Sequence, residues 1–186
     1  MTLDLTKYCG DPVERPKISR PFSKDGYTWS TNGHFMIRVP LRDDVPENHD
    51  APNVVRAWTS AVGNDASHKK VFASVTPFDL PSLGFMRCEE CEGRGTIHNC
   101  PDCKCHCGEC GGRGEIEEIK TVSVGAVLIQ FRYARWLMEL PNLSVSVPKT
   151  REAAVGFRFD GGDGLIMTYN GRIEEAVADL LKGPIA

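Results

Sequence analysis

Seven of the eight cysteines in this 186-residue chain lie between Cys88 and Cys110, and their spacing is that of a metal site. Residues 88–95 read C-E-E-C-E-G-R-G and residues 107–114 read C-G-E-C-G-G-R-G, so the pattern C-x-x-C-x-G-x-G occurs twice. A C-x-x-C turn sets two thiolates on one side of a tight loop. The glycines behind it let the backbone fold back with its N–H groups toward the sulfurs. One turn supplies two ligands, whereas tetrahedral zinc takes four. Cys88 and Cys91 with Cys107 and Cys110 therefore make a closed site for one Zn2+, structural because no position remains for water or substrate.

The stretch between the two turns, T-I-H-N-C-P-D-C-K-C-H at residues 96–106, offers a second set. A two-residue hairpin turn at Pro101-Asp102 puts Cys100 opposite Cys103 and His98 opposite Cys105, and side chains two apart on a strand share a face. A second zinc would then take His98, Cys100, Cys103 and Cys105, with His106 as the alternative nitrogen donor. Otherwise the three cysteines are reduced thiols in a small loop. Disulfides are the competing use of so much cysteine, but the opening M-T-L-D-L has neither the basic start nor the apolar run of a signal peptide. The expected location is cytoplasmic, where thiols stay reduced and metal-bound. Cys9 stands alone and reads as a small buried hydrophobe.

The doubled C-x-x-C-x-G-x-G resembles the cysteine-rich zinc domain of the DnaJ-type co-chaperones. The resemblance covers residues 88–114 only. That family has four such units and two zinc ions, whereas this chain has two units and an irregular middle. The His-Pro-Asp triplet of a J-domain is absent from the sequence, so action through a heat-shock chaperone is not implied.

The elements that must carry this module read as an α+β fold of antiparallel sheets with one or two packed helices. Residues 3–9 suggest a short helix ended by Pro12 and Pro16, residues 17–22 and 27–31 suggest strands around a turn at Ser23–Gly26, and Asn32-Gly33 leads into a strand with Phe35, Ile37 and Val39 on one face. A helix is expected over 53–62, where Val54, Val55, Trp58, Ala61 and Val62 recur at helical spacing, with Trp58 read as core. A strand follows at 71–76. Beyond the cysteines come β-type runs in 116–130 and a helix over 131–140. That helix sets Tyr133, Trp136, Leu137 and Leu140 on one face and Arg132 with Arg135 on another. Alternation marks strands at 143–147 and 155–159, Gly161–Gly164 reads as a turn, and L-I-M-T-Y-N is a last strand. Residues 172–182 read as a helix with the stripe Ile173, Val177, Leu180 and Leu181, docked on its own domain.

Residues 27–39, Y-T-W-S-T-N-G-H-F-M-I-R-V, are similar to the strand–turn–strand of bacterial DNA polymerase sliding clamps, where Thr-Asp-Gly-His forms the turn; Asn32 replaces the usual Asp. The order strand, helix, three strands after the cysteines also resembles one half of a sliding-clamp domain, built from two βαβββ units. This resemblance spans most of 1–40 and 119–170 and implies a clamp-like body with the zinc module inserted, a combination that looks like uncharacterised proteins of tailed phages and prophages. The expected domains are a β-rich N-terminal half at 1–85, the zinc module at 86–118, a βαβββ half at 119–171 and a C-terminal helix or tail at 172–186.

Composition narrows the function. No stretch approaches the ~20 apolar residues of a membrane span, and a net charge of −3 gives no global attraction to nucleic acid or anionic lipid. There is no nucleophile elbow, P-loop or H-E-x-x-H, and thiol–disulfide chemistry at the C-x-x-C pairs would be suppressed by bound zinc, so the chain reads as non-enzymatic. From Met86 to Glu118 eight acids (Glu89, Glu90, Glu92, Asp102, Glu109, Glu115, Glu117, Glu118) outweigh four bases (Arg87, Arg94, Lys104, Arg113). Four thiolates on one Zn2+ add further negative charge. Such a module repels phosphates. The sequence therefore implies a zinc-binding adaptor whose module meets a protein partner. The alternative is a clamp-like, DNA-associated accessory using Arg132 and Arg135, whose ring would need several chains; the sequence leaves the oligomeric state open.

Overall fold

A computed structural model describes residues 3–49, 53, 54, 56, 58, 59, 71–80, 82, 84–97, 105–117, 120–148, 154–170 and 176–184. The chain separates into two compact units, one made of Met1–Asp79 with Thr121–Ala186 and the other of Leu80–Lys120. The class is α+β, mostly antiparallel sheet.

The larger unit is organised by β1 (Phe22–Lys24), β2 (Tyr27–Thr31), β3 (Phe35–Pro40) and β4 (Phe72–Ser74) from its N-terminal part. The C-terminal part adds β9 (Thr121–Val124), β10 (Val127–Gln130), helix α1 (Phe131–Met138), β11 (Ser144–Ser146), β12 (Ala154–Phe159), β13 (Gly162–Met167), β14 (Ala178–Asp179) and β15 (Gly183–Pro184). Seven strands form one sheet in the order β1-β2-β3-β13-β12-β11-β4, so two three-stranded meanders meet edge to edge where β3 pairs with β13. A second sheet has the order β10-β9-β14-β15.

Turn chemistry sets the registers. Lys24 pairs with Tyr27, leaving Asp25 (φ 52°) and Gly26 (φ 78°) as the two left-handed residues of a primed turn that matches strand twist. The β2–β3 turn centres on Gly33 (φ 92°) and His34, one residue beyond the expected Asn32-Gly33. Asn32 instead stands just outside it, its Oδ1 accepting the N–H groups of His34 at 2.9 Å and Phe35 at 2.8 Å.

One face of the sheet is centred on Phe35, which is fully buried. Its ring stacks with Tyr8 at 5.2 Å and meets Phe157 at 5.2 Å, Trp136 at 5.2 Å and Tyr133 at 5.8 Å, so α1 is fixed by aromatic contacts worth about 0.5–1.5 kcal/mol each beyond area burial. The expected helix face is therefore the one that packs: Tyr133, Leu137 and Leu140 are buried and Arg132 and Arg135 are exposed. On the opposite face Phe22, Trp29 and Val54 cluster with Met36 and Trp58 partly buried against them. Backbone at Val54, Arg56, Trp58 and Thr59 is helical, and Trp58 packs edge-on to Trp29. Arg38 is sandwiched there, 3.9 Å from the Trp58 ring and 4.3 Å from Tyr27, with both arms on Asp163 at 2.6 and 3.0 Å.

Several expected elements differ. Pro16–Ile18 is a 3-10 turn, because proline at its first position presets a helical φ, and the strand begins only at Phe22. Gly161–Gly164 is not a turn: Asp160 and Gly161 make it, and Gly162, Asp163 and Gly164 lie inside β13. A Cβ on Gly164 would stand 2.0 Å from Phe157 Cζ and 2.4 Å from the Met36 oxygen, so glycine makes room for an aromatic ring from the neighbouring strand. The C-terminal helix is also corrected. Ala178 and Asp179 run parallel to β9, and β15 pairs back on them after Gly183 (φ 100°). Ala178 and Leu180 are buried while Asp179 is half-buried, a strand alternation. Ile173 lies outside the described residues.

Candidate metal centre

The unit Leu80–Lys120 contains β5 (Phe85–Arg87), β6 (Thr96–Ile97), β7 (Cys105–His106) and β8 (Glu115–Glu117), paired as two ribbons, β5 with β8 and β6 with β7. Each C-x-x-C turn bridges one ribbon to the other, the first from β5 to β6 and the second from β7 to β8. A shift of 19 positions maps Cys88 onto Cys107, Cys91 onto Cys110, Gly93 onto Gly112 and Gly95 onto Gly114. The hydrogen bonds repeat with it. The Cys88 N–H donates to the Gly114 carbonyl at 2.9 Å and the Cys107 N–H to the Gly95 carbonyl at 2.9 Å. The Gly93 and Gly112 N–H groups donate to the Cys88 and Cys107 carbonyls at 3.0 and 3.1 Å. The unit thus has internal two-fold pseudosymmetry.

The glycines are required by this closure. Gly95 (φ 73°) and Gly114 (φ 78°) are left-handed, and a Cβ on either would stand 2.3 Å from the Gly112 oxygen or 2.4 Å from the Gly93 oxygen. Each chain turn therefore lies directly against its symmetry mate. The Gly95 N–H donates to Cys91 Sγ and the Gly114 N–H to Cys110 Sγ, both at 3.2 Å, as expected for glycines that fold back on a thiolate. Ile97 and Ile116, another pair 19 apart, pack against the cysteines.

All four sulfurs are inaccessible to solvent and lie within 4.8 Å of one another. Cys88 and Cys107 are 3.8 Å apart, and Cys91 and Cys110 are 3.7 Å apart. A disulfide needs about 2.05 Å. A regular tetrahedron of sulfurs about 2.3 Å from a central ion has edges of about 3.8 Å. The quartet could hold a metal ion on these distances alone. At Cys110 burial raises the thiol pKa, but the Gly114 N–H, the Cys91 and Cys107 thiols and the Gly112 N–H bring it to about 7. At Cys88 the Cys91 N–H lowers the pKa, yet burial and the thiols of Cys91, Cys107 and Cys110 push it to about 11. The neighbouring thiols thus push Cys88 and Cys110 in opposite directions, and a divalent cation at the centre would favour the thiolate form.

The other candidate ligands are placed differently. Cys105 is exposed in β7 and pairs with Ile97, one residue off the expected pairing with His98. In a strand a one-residue slip exchanges the two faces. His98, Cys100 and Cys103 lie outside the described residues. His106, the alternative donor, is exposed with its ring over Gly112, where a Cβ would stand 2.6 Å from Nδ1. Its mate 19 positions earlier, Arg87, covers Gly93 in the same way and donates to the Glu92 carbonyl at 2.6 Å. These covering side chains were legible only through the 19-residue offset. Cys9 is half-buried, its sulfur 3.2 Å from the Ser30 hydroxyl, and burial first raises its pKa.

No helix among the described residues is long and apolar enough to cross a membrane. Compared with family models, curated proteins and solved structures, the chain has no match.

Proposed function

We propose that this chain is a non-enzymatic, zinc-binding adaptor, in which Zn2+ on Cys88, Cys91, Cys107 and Cys110 shapes residues 80–120 into a protein-interaction surface. The observation that carries the reading is the convergence of four buried sulfurs within 4.8 Å of one another, two pairs of them at the 3.7–3.8 Å that a tetrahedral zinc site needs. A soft, four-thiolate tetrahedral set selects zinc over hard cations, and its burial leaves no coordination position for a reacting water. The structural role follows from size: among the described residues Ile97 and Ile116 are the partly buried apolar residues against the cysteines, too little core to hold such a unit without a metal. Phe85 is 62% exposed and Met86 45% exposed in a unit that also exposes Glu89, Glu90, Glu92 and Glu109, an apolar and acidic character suited to a protein partner with basic residues. The doubled motif supports kinship with the DnaJ-type module. The β10-α1-β11-β12-β13 order supports the clamp-like, phage-type reading.

The test is affinity capture from the native host with the full chain and with Cys88→Ser/Cys107→Ser. A partner retained by the first and lost by the second is expected. Equal retention by both would refute the role of the metal-shaped unit. The DNA-associated reading has one observation of its own: Arg132 and Arg135 are both exposed on α1. It requires salt-dependent duplex binding that Arg132→Ala/Arg135→Ala removes.

A further inference from the structure

The turn between β2 and β3 gathers positive charge that the adaptor reading does not use. Arg15 crosses to it from the segment before the 3-10 turn, donating from Nη1 to the Asn32 carbonyl at 2.9 Å and lying against Gly33, where a Cβ would come within 1.9 Å of that nitrogen. Glycine at 33 is favoured by its positive φ, and the Arg15 guanidinium occupies the place a Cβ would take. Arg132 approaches from the start of α1, its guanidinium 4.9 Å from the Tyr133 ring and its Nε on Gln130 at 2.9 Å. His34 sits at the apex, exposed like both arginines.

The scaffold beneath is fixed. Asn32 Nδ2 donates to the Tyr133 hydroxyl at 3.4 Å, tying the turn to α1, and the Met167 N–H donates to the His34 carbonyl at 2.8 Å, tying it to the end of β13. Among the described residues neither Arg15 nor Arg132 pairs with a carboxylate, although Arg38, Arg42 and Arg94 each do. Two guanidinium groups, each keeping N–H groups beyond those on Asn32 and Gln130, and an imidazole flank a braced turn, and these are the donor types that take phosphate oxygens.

We infer that Arg15, His34 and Arg132 form an oxoanion site for a phosphate group, supplied as free phosphate or as the phosphodiester of a nucleic acid. The inference stands apart from the zinc unit and would survive failure of the adaptor reading. Its electrostatics are consistent: partial desolvation first, then the charges of Arg15 and Arg132, hold the His34 pKa below its ordinary value. An anion bound between the three would raise it.

The test titrates inorganic phosphate into the isotopically labelled full chain, following the His34 imidazole and the Gly33 and His34 amides by NMR, and measures fluorescein-labelled duplex binding by anisotropy. Phosphate is expected to move these signals saturably and to raise the His34 pKa. Arg15→Gln/Arg132→Gln should weaken the effect about tenfold or more. Arg15→Lys keeps the charge but loses the fork, and should bind with intermediate strength. If the double variant fails to fold, Arg132→Gln alone serves, since Arg132 is exposed and its contacts among the described residues are Gln130 and the Tyr133 ring. Binding of phosphate with duplex no tighter identifies a free oxoanion. Tighter duplex binding, with a log–log salt slope about 2 smaller in the double variant, identifies a nucleic-acid backbone. Arg135→Ala separates this site from the DNA-associated reading, which needs Arg135 while the oxoanion site does not. Unmoved His34 signals, or signals that move equally in the arginine variants, overturn the inference.

Discussion

Gly114→Ala tests whether the two cysteine turns are braced against each other or merely linked by the ion. Gly114 has φ 78°, so alanine there costs about 1–2 kcal/mol for the left-handed backbone alone. Its Cβ would stand 2.4 Å from the Gly93 oxygen, well inside contact distance, and something in the backbone must shift. Gly114 can yield only by drawing its N–H off Cys110 Sγ or its carbonyl off the Cys88 N–H, and a hydrogen bond to a charged sulfur is worth about 1.5–3 kcal/mol. The total is about 2.5–5 kcal/mol. Because metal binding and folding are one process in such small units, the loss is read as zinc affinity, about two to four orders of magnitude. Gly95→Ala should match it, since its Cβ would meet the symmetry-related Gly112 oxygen at 2.3 Å. Gly111→Ala is the control: φ is 58°, but nothing lies within 4 Å, so it pays only the conformational cost, about tenfold. Competition against a chromogenic chelator measures all three. If the three variants lie within threefold of one another, the reciprocal packing of the turns is not what holds the site.

Three further outcomes are expected. Glu92 occupies the position equivalent to Gly111 with φ 49°, so Glu92→Gly should tighten zinc binding several-fold in the same competition assay, by removing about 1 kcal/mol of strain. In the larger unit Gly164→Ala should lower the urea midpoint by an amount equal to about 3 kcal/mol or more, because the Phe157 ring occupies the new methyl's place; Gly161→Ala, at φ 100° with open space around it, should cost about 1–2 kcal/mol. Tyr8 is buried, and burial first, then the charges of Glu139 and Asp4, raise its phenol to about 12. Its folded pKa lies above the unfolded value of about 10, so its stabilisation is complete below pH 10 and lost as pH rises toward 12. That amounts to about 2–3 kcal/mol. The unfolding free energy of Tyr8→Phe should fall less steeply than the parent's over that window, and parallel curves would refute the assignment.

What could be read from the sequence was local, and what could not was set by distant neighbours. The cysteine quartet was legible because two identical eight-residue patterns each place two thiols and two left-handed glycines, with nothing outside the pattern needed. The α1 face was legible because the Tyr133, Leu137 and Leu140 spacing follows one helical period. The tail misled because Val177, Leu180 and Leu181 also fit that period. The parallel partner β9 decided instead for alternation through Ala178 and Leu180, and alanine is too small to have announced it. Gly161–Gly164 looked like a turn because three glycines and an aspartate in four residues usually are one. The size of Gly162 and Gly164 serves Phe159 and Phe157, rings that the adjacent strand places over them. Arg15 gave no sign of reaching the β2–β3 turn, because the contact joins residues 17 positions apart through a backbone carbonyl.

The central claim is that one metal ion closes Cys88, Cys91, Cys107 and Cys110 into a tetrahedral site. The most direct test is zinc content and zinc K-edge absorption on Cys100→Ser/Cys103→Ser/Cys105→Ser, which leaves only the quartet and Cys9. One zinc per chain with four sulfurs at about 2.3 Å is predicted. A metal-free protein with freely reactive thiols, or a first shell containing nitrogen or oxygen, would contradict it.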